Sequence, residues 1–201
     1  HSEDKTEKIA LKLGAKVISD NYQGYGHALK SGIESSNSDI VVLAEADGTF
    51  RSSDLEKLIN NLMDNDVVQG TRTNPAYIQY KANMDRPRIF FNKLYANIIS
   101  LLWPKNKTHL TDVGCTYRAF WKNKYNKIKS RLISDSAAFA PELTIEFINQ
   151  GCRVVEIPVN YHPRNMGESK LSGTYFKSAI TALKMMKIIL IKRLQYFFKE
   201  I

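Results

Sequence analysis

The chain has 201 residues, 43% of them hydrophobic, which is enough for one folded domain with a buried core. Its formal net charge of +9 implies an anionic partner, which is a nucleic acid, an acidic membrane surface or a phosphate-bearing ligand. It lacks the roughly 18 consecutive apolar residues of a transmembrane helix, and its two cysteines, Cys115 and Cys152, fit no metal-ligand spacing and favour reduced thiols inside the cell.

The first 72 residues alternate between helical and strand patterns. In chain order the patterns predict a helix at 7–13, a short strand at 16–18, a helix at 27–34 and a buried strand from residue 40. A helix from Leu55, with Ser53-Asp54 as its N-cap, and a strand at 66–70 follow. Such alternation is typical of a doubly wound, mostly parallel sheet, so we expect an α/β fold.

The remaining residues predict longer helices. The patterns indicate a helix at 88–102, an extended segment or strand at 110–120, a helix at 141–150, a strand at 154–159 and a long amphipathic helix from about residue 174. Pro158 favours an edge position for the last strand, because proline cannot donate a ladder hydrogen bond. We expect a domain over residues 1–173, followed by the helix 174–201.

The apolar run at 40–44 ends in two carboxylates, Glu45 and Asp47, with Thr49 two residues further on. Open α/β sheets bind ligands outside the carboxyl ends of their strands. Carboxylate oxygens suit Mg²⁺ or Mn²⁺, which usually bridge to substrate phosphates. The motif therefore predicts a metal site for a phosphorylated or nucleotide-linked substrate, with an ordinary turn after a strand as the alternative.

Three other segments carry residues with chemical potential, and each keeps a structural alternative. Residues 23–28 contain two glycines, which let a backbone approach a ligand or simply make a turn. The basic loop 164–170 suits a diphosphate or is solvated. In residues 111–118, Asp112 is a candidate base or acceptor-site ligand, and Cys115 is expected to be a buried thiol.

The last helix carries lysines that fall on one narrow face at 100° per residue: Lys177, Lys184, Lys192 and Lys199. Apolar residues surround much of the rest. The helix either lies on an anionic membrane or packs on the domain with a solvated lysine face, and the net charge favours the membrane.

The order of these motifs resembles the family 2 glycosyltransferases of the GT-A fold, most closely their polyprenyl-phosphate branch. The resemblance spans residues 6–187 and rests on six segments: 23–28, 45–47, 67–72, 112–118, 156–159 and 167–170. It implies that the chain begins after the first strand–helix–strand unit of the fold, which holds much of the nucleobase pocket.

The resemblance implies inverting transfer of a sugar from a nucleoside diphosphate to a polyprenyl phosphate, with Mg²⁺ or Mn²⁺ as cofactor. By resemblance, Asp47 holds the metal, assisted by Glu45 and Thr49, and Asp112 is the catalytic residue near the acceptor. The implied nucleotide-sugar contacts are Glu45, Ala46, Asp47, Arg72, Arg164 and Lys170. The implied acceptor-phosphate contacts are Arg88, Lys93 and Ser169.

Two departures from the family pattern concern ligand contacts. Glu45 stands where the family usually has the shorter acid, and Lys93 and Leu94 stand where relatives tend to have a Ser-Arg pair.

The expected location is the cytoplasmic face of a membrane, where this chain is peripheral while the full-length protein has transmembrane helices.

The alternatives are transfer to a sugar hydroxyl of a glycan or glycolipid, and a non-catalytic basic module or inactive fragment. Nucleic acid is not an expected partner, since the sequence has no helix-turn-helix, zinc-finger spacing or interleaved aromatic platform.

Overall fold

The computed structural model describes residues 5–19, 22–104, 109–165 and 174–200, the last of these with side chains through residue 198. The strands are β1 (Ile40–Leu43), β2 (Val67–Thr71), β3 (Arg118–Trp121) and β4 (Val154–Pro158). The helices are α1 (Thr6–Lys12), α2 (Tyr25–Glu34), α3 (Leu55–Leu62), α4 (Arg86–Leu102), α5 (Lys122–Asn126), α6 (Phe139–Asn149) and α7 (Tyr175–Glu200). Short 3₁₀ turns lie at Ser52–Asp54, Pro75–Tyr77 and Lys129–Arg131.

The four described strands form one mixed sheet in the order β1-β3-β2-β4. β3 is antiparallel to both β1 and β2, and β2 is parallel to β4. Strands β1, β2 and β4 therefore share one direction, as expected of a mostly parallel α/β sheet, with β3 inserted between two of them. The edge position that Pro158 predicts for β4 is confirmed within this sheet.

Helices cover both faces of the sheet because side chains alternate along each strand. On one face Val67 and Phe120 join the larger core, which is built with α4, α6 and α7. On the other face Val68 and Ala119 pack against Leu58 of α3 in a smaller core. Because helices cover both faces, the strand ends are the part of the sheet left for a site.

Two predicted strands differ in the structure. Residues 16–18 form no strand and Ile18 is exposed, since a strand persists only when it pairs and packs. The segment predicted at 110–120 is a strand only from Arg118 onward, because the backbone before it turns to place Asp112 and Thr116.

Asp54 stands at the predicted N-cap position of α3, but its carboxylate serves a different contact. The Asp54 carboxylate accepts hydrogen bonds from the backbone and side-chain nitrogens of Asn160, at 2.7 and 2.9 Å, and pairs with Lys57. Its side chain makes no cap hydrogen bond to α3. Asp54 therefore ties the start of α3 to the segment that follows β4.

The lysine face predicted for α7 is wrong at Lys192. This side chain is fully buried, and its ammonium lies 2.8 Å from Glu142 and 3.1 Å from Glu146 on α6. Ile188 and Ile189 are buried beside it in the larger core. Lys177 and Lys184 are exposed as expected, and the side chain of Lys199 lies outside the described part of the chain. Among the described residues, no helix combines the length and apolar character needed to cross a membrane.

Candidate active site

The candidate site lies where β1 and β2 end, on the same edge of the sheet. Glu45 and Asp47 follow β1, and Arg72 follows β2. Two loops complete the site. Residues 111–117 lead into β3, and residues 161–165 follow β4.

Arg164 is brought to the acids by backbone pairing between two loops. The Asn165 amide donates to the Asp47 carbonyl at 3.0 Å, and the His162 amide donates to the Thr49 carbonyl at 2.9 Å. Gly48 has φ +82°, and the Asn165 side chain occupies the position that a Cβ at residue 48 would take. Glycine at position 48 therefore permits the close contact that places Arg164.

Asp47 has one carboxylate oxygen bound within its own loop and one facing Arg164. Its Oδ1 accepts hydrogen bonds from the Thr49 amide at 3.0 Å and the Thr49 hydroxyl at 2.6 Å. Its Oδ2 is buried, lies 2.7 Å from an Arg164 nitrogen, and has no aligned hydrogen-bond donor among the described residues. Burial alone would raise the pKa of Asp47, but the Thr49 hydrogen bonds and the Arg164 charge outweigh burial and lower it.

Glu45 has a similar arrangement with more distant partners. Its Oε1 accepts a hydrogen bond from the Thr116 hydroxyl at 2.8 Å, and the Tyr25 hydroxyl lies 3.3 Å away. Its Oε2 lies 3.9 Å from the same Arg164 nitrogen that pairs with Asp47. One guanidinium therefore faces both acids.

The carboxylate oxygens of Asp47 and Glu45 fit a divalent cation that is shared with a substrate. The buried Asp47 Oδ2 lacks an aligned donor, and Glu45 Oε2 faces the same place. The described residues contain no group of three acidic, histidine or cysteine side chains that could hold a metal. Mg²⁺ and Mn²⁺ are commonly bound by one or two carboxylates together with substrate phosphates, and that is the type of site these residues offer.

Arg72 is fixed by Asp112 through three hydrogen bonds. The Arg72 Nε and one terminal nitrogen donate to the two Asp112 oxygens at 2.8 and 2.9 Å, and the Arg72 amide donates to Oδ2 at 2.9 Å. The Gly114 amide also donates to Asp112 Oδ1. Burial disfavours the guanidinium charge, but the Asp112 carboxylate outweighs it and raises the pKa of Arg72. The Tyr161 ring lies 5.3 Å from the guanidinium carbon.

A second carboxylate supports this pair from β4. Glu156 accepts hydrogen bonds from the amides of Thr111 and Asp112, each at 2.9–3.0 Å, and from the Thr111 hydroxyl. Burial outweighs these hydrogen bonds and raises the pKa of Glu156. Glu156 therefore holds the backbone at Asp112 in place.

The predicted acceptor residues on α4 lie in different surroundings. Lys93 lines a cavity of about 450 Å³ together with His109 and Thr73. Arg88 instead pairs with Asp85 at 2.6 Å and lies 5.3 Å from the Tyr175 ring of α7. Ser169 and Lys170 lie outside the described residues.

The two glycines at 24 and 26 serve packing within the protein. A Cβ at residue 24 would lie 2.6 Å from the Asp135 carbonyl, and a Cβ at residue 26 would lie 2.7 Å from Phe139 Cβ. The Gly26 amide donates to the same Asp135 carbonyl at 2.8 Å. The glycines therefore let the start of α2 contact the segment before α6, which favours the structural interpretation of this motif.

The sequence analysis missed several residues at the site: Tyr25, Asn92, Thr116 and Tyr161. Asn92 and Arg72 both lie beside Gly114. A Cβ placed on residue 114 would be 3.1 Å from the Asn92 Oδ1 and 3.3 Å from an Arg72 nitrogen. The only available signal was position, because Tyr25 stands between the glycines and Thr116 lies in the motif that contains Asp112.

Comparison with known proteins gives consistent results. The family model described as Glycosyl transferase family 2 matches residues 1–128. A dolichyl-phosphate hexose transferase of Haloferax volcanii is 29% identical over 195 residues, covering 96% of this chain and 80% of the relative. An undecaprenyl-phosphate mannosyltransferase of Micrococcus luteus is 29% identical over 144 residues, covering 71% of this chain and 57% of the relative.

The fold also matches a solved structure, the glucosyl-3-phosphoglycerate synthase of Mycobacterium tuberculosis in complex with Mn²⁺, uridine diphosphate and phosphoglyceric acid. The TM-score is 0.70 at 13% identity, covering 96% of this chain and 65% of that one. At this identity the likeness concerns the fold alone.

Proposed function

The chain belongs to glycosyl transferase family 2, and we propose that it transfers a sugar, with inversion, from a nucleoside diphosphate to a polyprenyl phosphate. The observation that carries the proposal is the meeting of Glu45, Asp47 and Arg164 beside the fixed Arg72. The acceptor class rests on the two relatives whose names contain dolichyl phosphate and undecaprenyl phosphate.

The donor diphosphate binds between the acids and the two arginines. A divalent cation, Mg²⁺ or Mn²⁺, held by Asp47 with Glu45 and Thr49 assisting, would supply charge stabilisation for the leaving diphosphate. Arg164 faces both acids and contacts diphosphate oxygens from the loop after β4, while Ala46 provides backbone between the acids. Lys170 is proposed as a further phosphate contact, on its sequence position alone.

Arg72 is held ready for the anion by Asp112. Because three hydrogen bonds fix its guanidinium and backbone, little conformational entropy is lost when a phosphate binds. We therefore revise the role proposed for Asp112 from a catalytic residue near the acceptor to a positioning residue for Arg72.

This revision bears on the acceptor. A hydroxyl acceptor must lose its proton as it attacks, so it needs a positioned base. A phosphate monoester, with a second pKa of about 6, is already anionic near neutral pH and needs none. Both Asp112 oxygens accept hydrogen bonds from Arg72, so the geometry supports the phosphate acceptor. We place the acceptor phosphate near Lys93, with Ser169 as a further contact, and assign Arg88 to the α4–α7 contact.

A lipid acceptor requires a membrane surface, and the two helices α4 and α7 offer an apolar one. The exposed apolar side chains of α7 are Phe176, Ile180, Leu183, Leu190, Leu194, Phe197 and Phe198. Those of α4 are Phe90, Phe91, Leu94 and Leu101. Exposed Lys177 and Lys184 add charge beside this apolar stripe, and exposed Lys187 lies within it. We propose peripheral binding to the cytoplasmic face of an anionic membrane through α4 and α7.

Calorimetry with UDP and GDP in the presence of Mn²⁺ tests the donor site and identifies the nucleotide. Transfer from the matching nucleotide sugars to a polyprenyl phosphate, compared with a glycolipid lacking the phosphate, then tests the acceptor. Transfer to the glycolipid alone would favour the hydroxyl-acceptor alternative. Absence of metal-dependent nucleotide binding would contradict the proposal and favour a non-catalytic fragment.

A further inference from the structure

Glu45 is held by a relay of two hydroxyl groups that no sequence motif pairs with it. The Thr116 hydroxyl donates to Glu45 Oε1 at 2.8 Å, and the Tyr25 hydroxyl forms a short hydrogen bond with Thr116. The Tyr25 oxygen also lies 3.3 Å from Glu45 Oε1. Because Thr116 uses its one proton on Glu45, Tyr25 supplies the donor and Thr116 accepts.

The relay is built into the packing of the protein. Tyr25 is the first residue of α2, and Gly24 and Gly26 on either side of it contact the segment before α6. Thr116 is 3% exposed and lies two residues before β3. The packing of Tyr25 and Thr116 therefore fixes both hydroxyls beside Glu45.

The two acids of the site share one arrangement. Asp47 has one oxygen bound by the Thr49 hydroxyl, and its other oxygen faces Arg164. Glu45 has one oxygen bound by the Thr116 hydroxyl, which is itself bound by Tyr25, and its other oxygen faces Arg164. Glutamate has one more rotatable bond than aspartate, so an unrestrained Glu45 would lose more side-chain entropy when it binds a ligand. The hydrogen bond from Thr116, which Tyr25 holds in place, restricts that freedom before the ligand arrives.

We propose that Tyr25 and Thr116 are positioning residues that orient Glu45, so that its Oε2 faces the place where Asp47 and a divalent cation meet the donor diphosphate. This inference rests on the function proposed above, which assigns the cation and the diphosphate to these acids. It adds two residues on separate elements to the site, and it accounts for a glutamate where the family pattern has the shorter acid.

The test measures Mn²⁺ affinity by electron paramagnetic resonance in the presence of UDP, and separately of GDP. Thr116→Val and Tyr25→Phe remove the hydroxyls with little change of shape. Loss of the partner that orients a metal ligand typically lowers metal affinity about 10–100-fold, so we expect the Mn²⁺ dissociation constant to rise by about tenfold or more. Thr116→Ser keeps the hydroxyl and should restore most of the affinity.

A double-mutant cycle distinguishes positioning from a general structural effect. In a Glu45→Gln background, Thr116→Val and Tyr25→Phe should cause little further loss, because they act through the Glu45 carboxylate. Tyr125→Phe is the matched control, since the Tyr125 hydroxyl on α5 has no hydrogen-bond partner among the described residues, and the substitution should leave Mn²⁺ affinity unchanged. Thermal unfolding of each variant verifies the fold, and Tyr25→Phe carries the test if Thr116→Val does not fold.

Unchanged Mn²⁺ affinity in Tyr25→Phe and Thr116→Val would overturn the inference while leaving the proposed function intact. Equal losses with and without the Glu45 carboxylate would overturn it as well. If the unmodified protein fails to bind Mn²⁺ in the presence of UDP and also in the presence of GDP, the proposed function fails, and the inference fails with it.

Discussion

Arg72 and Asp112 form a bidentate ion pair in which both carboxylate oxygens accept hydrogen bonds from the guanidinium, at 2.8 and 2.9 Å. The Asp112 side chain is fully buried, and the Arg72 side chain is 15% exposed. Because removal of one member leaves the other charge buried without its partner, the pair is sensitive to substitution.

Asp112→Asn should therefore act through Arg72. We expect the free energy of unfolding to fall by about 3 kcal/mol, as for other broken buried ion pairs, and the KM for the donor to rise. Urea denaturation and steady-state kinetics measure the two effects. Asp135→Asn, whose 58% exposed side chain pairs with Lys30, is the control and should cost less than about 1 kcal/mol. A protein of unchanged stability and donor KM that has lost only turnover would instead indicate a catalytic base at Asp112.

Lys192→Met should destabilise the fold strongly. The substitution leaves Glu142 and Glu146 without the buried ammonium that lies 2.8 and 3.1 Å from them, at a cost of about 3 kcal/mol or more. Chemical denaturation provides the measurement. Lys184→Met on the exposed face of α7 should change the free energy of unfolding by less than about 0.5 kcal/mol. Equal effects of the two substitutions would contradict the burial of Lys192.

Asp66 should make stability depend on acid. Burial alone would raise its pKa, but hydrogen bonds from Lys124 and the Arg153 amide outweigh burial and lower the pKa below its ordinary value. A carboxyl whose pKa is lowered by folding stabilises the fold at pH values above its unfolded-state pKa. This contribution is lost as the pH falls through its folded-state pKa.

The stability difference between the unmodified protein and Asp66→Asn should therefore be about 1 kcal/mol at neutral pH and shrink below about pH 4. Urea denaturation across this range provides the test, with the exposed Asp64→Asn as the control. A difference that stays constant with pH would argue against the Asp66 contacts.

Tyr125→Phe should leave stability unchanged or increase it by about 1 kcal/mol. Its hydroxyl is buried and finds no hydrogen-bond partner in the part of the chain that the structure describes, so it bears a desolvation cost without compensation. The ring, which stacks on Phe120 at 6.0 Å, is retained. Thermal and chemical denaturation measure the change. A clear loss of stability would mean that the hydroxyl has a partner.

Leu183→Glu and Leu190→Glu should weaken binding to anionic vesicles. Both side chains lie on the exposed apolar stripe of α7, so a carboxylate there loses buried area and meets lipid charge of its own sign. Vesicle flotation at low and high salt provides the measurement. Met63→Glu adds the same charge at an exposed apolar residue after α3 and should bind as the unmodified protein does. Equal weakening by all three substitutions would reduce the effect to net charge.

Much of the site follows from the sequence because its residues stand at strand ends. Glu45, Asp47 and Arg72 each follow a buried strand, and parallel strands bring their carboxyl ends to one edge of the sheet. The hydroxyls on Glu45 could not be predicted in this way. Tyr25 and Thr116 are 91 residues apart, and their hydroxyls meet only in the folded chain.

Helix periodicity has a similar limit at Lys192. A 100° spacing groups four lysines on one face, but it does not tell which part of that face meets another element. The carboxylates that receive Lys192 stand four residues apart on α6, at Glu142 and Glu146. A pattern analysis confined to α7 therefore places a core residue at the surface.

The anchoring of α7 through Lys192 sets a lower limit on how far the chain can be shortened. The Glu142 carboxylate also accepts from the amides of Ile133 and Ser134, next to the residue that contacts Gly24 and Gly26. A protein that ended before Lys192 would retain every proposed ligand contact yet expose two acids in the centre of its core. The proposed boundary between residues 173 and 174 therefore separates the residues proposed to contact ligands from the helix that completes the core. A fragment ending there should not be expected to fold.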